Sequence, residues 1–219
     1  MSIEPGRGTP FMYARSKDVL ELLLNDDRID VNAINEDGET KLSSTFDYNS
    51  KRYYGERYLE VIDCLLSSPR IDVNFSGGLF RQTTLLQRAC ENRFHEGAVA
   101  VLKVAKKRGI DVNQRDADGL SAAHFAFAYA PRHVDETLPF TVARLSPTIE
   151  VILKFTKELE IDLEATDDQG QTPLHYLARG ESERLVEQFL EAAKNEYGIE
   201  FNVNAMDNNG KTPFAPVDE

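Results

Sequence analysis

One four-residue phrase returns five times along the chain, as Ile29-Asp30-Val31-Asn32, Ile71-Asp72-Val73-Asn74, Ile110-Asp111-Val112-Asn113, Ile161-Asp162-Leu163-Glu164 and Phe201-Asn202-Val203-Asn204. A chain that repeats itself at intervals of about 40 residues builds one supersecondary unit again and again, and each unit buries its apolar face against its neighbours. In four copies the same punctuation follows: a glycine (Gly38, Gly119, Gly170, Gly210) and, two positions on, a hydroxyl residue (Thr40, Ser121, Thr172, Thr212). Each glycine follows Asp37, Asp118, Gln169 or Asn209, which is turn chemistry where the backbone needs a positive φ. The hydroxyl can accept from an unpaired N–H in the first turn of a helix, and Pro173 and Pro213 stand where a proline costs nothing. A hairpin-like turn therefore runs directly into a helix. The second copy departs from the pattern: Phe80 replaces the glycine and Thr83 comes one position late, which predicts a turn one residue longer.

Apolar residues at i, i+3 and i+4 in Val19–Leu24, Val61–Leu66, Val151–Phe155 and Leu185–Leu190 predict a second helix in each unit. The expected architecture is all-α, a solenoid of about five helix pairs at 9–28, 40–70, 83–109, 121–160 and 172–200, with a partial terminal repeat at 201–219, in a single domain spanning 1–219. Thr172-Pro173-Leu174-His175-Tyr176-Leu177-Ala178 resembles the helix start of the ankyrin repeat family. Thr212-Pro213-Phe214, Ser121-Ala122-Ala123-His124-Phe125-Ala126 and Thr9-Pro10-Phe11 are weaker copies. The resemblance covers nearly the whole chain. It implies protein–protein interaction without catalysis and a structural role for His124 and His175. Lys41-Leu42-Ser43-Ser44-Thr45 lacks the proline, histidine and alanine, so the first helix of the second pair should be short or irregular.

Each unit is longer than the roughly 33 residues of an ankyrin repeat. The excess is expected in exposed segments: 47–57, 93–97 and 129–148 between paired helices, and 194–200 after the fifth pair. The first of these, read on to Tyr58, carries Tyr48, Lys51, Arg52, Tyr53, Tyr54, Arg57 and Tyr58, residue types enriched at binding hot spots. The alternative is that the rings pack onto their own repeat. The longest carries Leu138 and Phe140 among prolines, either folded back on the repeat or offered to a partner. The turn acids, among them Asp37, Asp118 and Asp168, are expected to line one edge and to suit a basic partner.

Lys and Arg number 25 against 37 Asp and Glu, a formal charge of −12, which argues against nucleic acid and anionic membrane surfaces as partners. No apolar run approaches a membrane span, and 1–13 does not resemble a signal peptide, so the expected location is cytosolic, or the host cytosol for an effector. Cys64 and Cys90 lie in apolar stretches and read as buried thiols. There is no nucleophile elbow, phosphate-cradling loop or Cys/His metal set, and no cofactor is implied.

The leading expectation is a non-catalytic interaction module that holds a protein on its concave face, turn tips and inserts. A pathogen effector would bind a host protein by the same surface, and self-association is left open. Two readings of other classes stand beside it. Ankyrin asparagines are hydroxylation targets in the family when a leucine stands eight residues upstream, and Leu24 and Leu66 stand there for Asn32 and Asn74. An enzyme would need an unrecognised site under 129–148.

Overall fold

A computed structural model describes residues 9–47, 50–77, 82–130, 146–179 and 183–215, and of Lys51 and Glu183 the backbone alone. The helices are α1 (Pro10–Tyr13), α2 (Lys17–Leu24), α3 (Lys41–Ser44), α4 (Ser50–Tyr54), α5 (Tyr58–Ser67), α6 (Leu85–Glu91), α7 (His95–Arg108), α8 (Ala122–Ala128), α9 (Pro147–Leu159), α10 (Pro173–Ala178) and α11 (Glu183–Ala192). A 3-10 turn, Gly55–Arg57, joins α4 to α5, and a π-turn, Ala193–Tyr197, extends α11. The only pairing of β type among the described residues is an isolated bridge between Gly77 and Thr83. Ten of these helices follow one another as five pairs, α4 is an additional turn between α3 and α5, and α3 is a single turn as its sequence predicts.

The first helices start as the hydroxyl residues dictate. Thr40, Thr84, Ser121 and Thr172 are N-caps, each closed into a capping box by the side chain three residues on: Ser43, Gln87, His124 and His175. In the turns, Gly38, Gly119, Gly170 and Gly210 all have φ between 72° and 79°. At Gly170 the reason for glycine is twofold, because a Cβ there would also lie 2.9 Å from the Asn208 backbone nitrogen.

The chain forms two compact units, Met1–Asp111 and Val112–Glu219. In the first, α2 packs on α5, α5 on α7 and α6 on α7, burying Leu20, Ile62, Leu65, Leu66, Val101 and Leu102. In the second, α8 packs on α9 and α10. Its aromatic centre is Phe127, Phe189 and Phe201, with centroids 5.4–5.8 Å apart.

Three expectations need correction. The second-copy cap is Thr84, not Thr83, so that turn is two residues longer than the others. The 47–57 segment is largely helical, as α4 and the 3-10 turn, because the rings of Tyr54 and Tyr58 give it an apolar side to bury. The excess of the third unit is not a 93–97 loop. Arg93 turns the chain at φ 54°, the Phe94 N–H donates to Ala89 O at 2.8 Å, and the extra residues extend α7 to 14. The excess after the fifth pair is the π-turn, ended by Gly198 at φ 62°.

Candidate functional site

The aromatic residues of the 47–57 segment divide by exposure. Tyr58 is 3% exposed, donates its hydroxyl to Thr45 O and stacks on Phe94 at 4.9 Å. Burial pushes its phenol well above the usual range. Its ring, expected as a partner contact, is instead taken up in the packing of its own helix pair against the next, through Thr45 and Phe94. Tyr54 is half-buried, stacked on Tyr58 at 5.8 Å, and burial raises its phenol to about 12. Tyr53 is 43% exposed and meets Tyr54 edge-on at 5.0 Å. Arg52 and Arg57 are exposed, and Lys51 lies within α4. Tyr48, Leu138 and Phe140 lie outside the described residues, as does most of 129–148.

Tyr53 and Tyr54 line a cleft of about 440 Å³ in the first unit. Opposite them stands the turn that precedes α3, with Asn35, Glu36 and Asp37, while Tyr13 and Asp47 complete the wall. Two expectations drawn from separate stretches, the turn acid Asp37 and the tyrosine insert, thus meet in one place. The turn is closed by Asn35, whose Oδ1 accepts from the Asp37 N–H at 3.0 Å and the Glu39 N–H at 2.9 Å. The Asp37 carboxylate is left exposed.

Behind the cleft lies an ionic centre. The buried Arg88 guanidinium donates to Glu39 at 2.5 Å, to Asp47 at 2.9 Å and to Gly77 O at 2.8 Å. One cation thus serves two carboxylates. Burial, with the Glu39 charge added, raises the Asp47 carboxyl to about 6. Lys41 is fully buried, donating to Met12 O at 2.6 Å with Nζ 5.1 Å from the Tyr54 centroid, and burial lowers its ammonium to about 8. Arg15 lies over the Tyr53 ring at 3.8 Å.

Elsewhere, polar groups serve the fold. Asp116, Asp167 and Asp207 are buried, each accepting two backbone N–H groups of its own turn at 2.8–3.0 Å. Asp118 and Asp168 are the exposed turn acids of the second unit, joined by the Asp168 N–H to Asp118 O at 3.3 Å. Asn32 donates to Arg70 O at 2.9 Å and accepts from the Asp72 N–H at 2.8 Å; Asn74 donates to Gly109 O at 3.1 Å. Both asparagines expected as modification sites therefore tie successive repeats together. His124 and His175 each take a backbone N–H on Nδ1 at 3.0 Å and direct Nε2 to a carbonyl of the next turn, Gln171 O and Lys211 O.

A larger cleft of about 580 Å³ lies between α2 and α5, where Lys17 pairs with Glu21 at 3.6 Å, Arg70 donates to carbonyls, and Glu60 and Asp63 complete the charged lining. Cys64 lines it, but burial and the Glu21 charge raise its thiol above the usual range, and Cys90 is fully buried; both are free. Among the described residues no cluster of His, Cys, Asp and Glu could hold a metal ion, and no helix is long and apolar enough to cross a membrane.

No family model matches the sequence, and no curated protein matches it. Among solved structures, the crystal structure of the ankyrin repeat protein EF0377 is similar over 92% of this chain and 84% of that one, with a TM-score of 0.64 at 17% identity.

Proposed function

We propose that this chain, an ankyrin-repeat fold, is a non-catalytic interaction module that holds a protein partner on its first unit, at the cleft between the Asn35–Glu39 turn and α4. The observation that carries this is the convergence of Asp37 with Tyr53 and Tyr54 on one open cleft, where exposed aromatic area and unspent charge coincide. The formal charge of −12 favours a partner with a basic surface over nucleic acid. His124, His175 and the buried turn acids, groups that could serve acid–base chemistry, are engaged in capping and turn closure. A reducing cytosol suits the two buried free thiols.

Affinity capture from lysate tests the reading, comparing the intact chain with Asp37→Asn and Tyr53→Ser. The expected result is a protein enriched by the intact chain and lost from both variants. Enrichment equal in all three would remove the cleft from the binding surface, and enrichment in none would remove the interaction function.

A further inference from the structure

The chemistry of the cleft specifies what it receives. We infer that it takes one cationic side chain, an arginine or a lysine, from a peptide segment of the partner, held between the carboxylates of Asp37 and Asp47 and the rings of Tyr53 and Tyr54. This rests on the reading above that the chain binds a protein.

Among the described residues three carboxylates, Glu36, Asp37 and Asp47, line the cleft, and no lysine or arginine does. Of the cations nearby, the exposed Arg15 lies over the Tyr53 ring without lining the cleft, and Arg88 and Lys41 are committed. Arg88 divides its charge between Glu39 and Asp47 and also donates to Gly77 O, while Lys41 donates to the Met12 carbonyl from full burial. The Asp47 side chain is still 42% exposed, so part of it remains open to a ligand.

The tyrosines supply the second half of the recognition. Arg15 lies 3.8 Å over Tyr53 and the Lys41 Nζ 5.1 Å from the Tyr54 centroid, so both rings already engage cations of this chain, and Tyr53, 43% exposed, keeps ring surface for a further one. A carboxylate gives the charge, and a ring gives the apolar surface along which the methylene stem of Lys or Arg lies. A volume of about 440 Å³ admits such a side chain with the backbone flanking it. A metal ion is a poorer occupant, since no cluster of ligands exists among the described residues.

Display of a random peptide library tests this, selected in parallel on the full chain, on Asp37→Asn, on Asp47→Asn and on Asp118→Asn. Asp118 is an exposed turn acid of the second unit and controls for net charge alone. Asp37→Asn is expected to fold because Asn35 closes that turn, so it carries the test should Asp47→Asn melt early. The inference expects peptides with an Arg or Lys at a fixed position that bind the intact chain and Asp118→Asn alike and bind Asp37→Asn at least tenfold more weakly. Selected peptides without a basic position, or ones that bind Asp37→Asn equally, would overturn the cationic cleft and leave the interaction module standing. No selected peptide on any form would overturn both.

Discussion

Asp167 shows how much a single repeat position settles. Its Oδ1 closes the turn and its Oδ2 accepts from the Tyr176 hydroxyl at 2.6 Å, while in the next turn Asp207 Oδ2 accepts from Gln171 at 3.4 Å. Asp116 holds the same place, but its Oδ2 is buried with no hydrogen-bond partner, because Phe125 stands where the later repeat has Tyr176. Phe125→Tyr should therefore stabilise the protein by about 1 kcal/mol, read as a higher urea midpoint with an unchanged slope. A lower midpoint would mean that the hydroxyl does not reach. His124 gives a second prediction. It accepts a backbone N–H on Nδ1, so the neutral ring is the folded form, and burial lowers its pKa below 6.5. Below pH 6.5 the unfolded chain takes up a proton that the folded chain refuses, so stability present above that pH is lost as pH falls toward the lowered folded value. Gln87 fills the same capping position in the third pair. In His124→Gln, melting curves between pH 7.5 and 5.5 should lose part of the decline seen in the unaltered chain; an identical decline would assign it to other groups. The caps and turns were legible in the sequence because Thr172, His175 and Asp167 act within a few residues of one another. The Arg88 centre was not, since its carboxylates stand 49 and 41 residues away and nothing local marks a pairing.

Between elements, two arginines hold successive repeats of the first unit. Arg70 donates to Leu24 O and Asp26 O, where α2 ends, and to Ile29 O, at 2.7–3.0 Å. Arg108 donates to Leu66 O near the end of α5 and to Ile71 O. Each satisfies carbonyls that a helix leaves unpaired and sets a positive charge at the negative end of its dipole. Arg70→Met should cost about 1–3 kcal/mol, measured by thermal or urea unfolding, since it strands part-buried acceptors. A loss below a few tenths would mean that water replaces the guanidinium. Periodicity made the second helices readable, because their apolar faces follow the helical repeat. It left the 47–58 segment ambiguous: four tyrosines announce area to be buried or offered, and only packing against Phe94 decides that Tyr58 is buried while Tyr53 is not.

At the scale of the molecule, a formal charge of −12 acts on any partner before contact, and a basic partner should associate more slowly as salt rises. Capture repeated at about 0.05 and 0.5 M salt should show weaker recovery at the higher value, whereas recovery independent of salt would point to an apolar contact. The cleft itself can be probed without the partner. Titrating N-acetyl-arginine amide, and separately its neutral analogue N-acetyl-citrulline amide, into isotopically labelled protein and following the side-chain NMR signals of Asp37, Asp47, Tyr53 and Tyr54 is the most direct measurement. The account predicts saturable shifts at those four residues with arginine and not with citrulline. Equal shifts with both compounds, or none confined to the cleft, would contradict it.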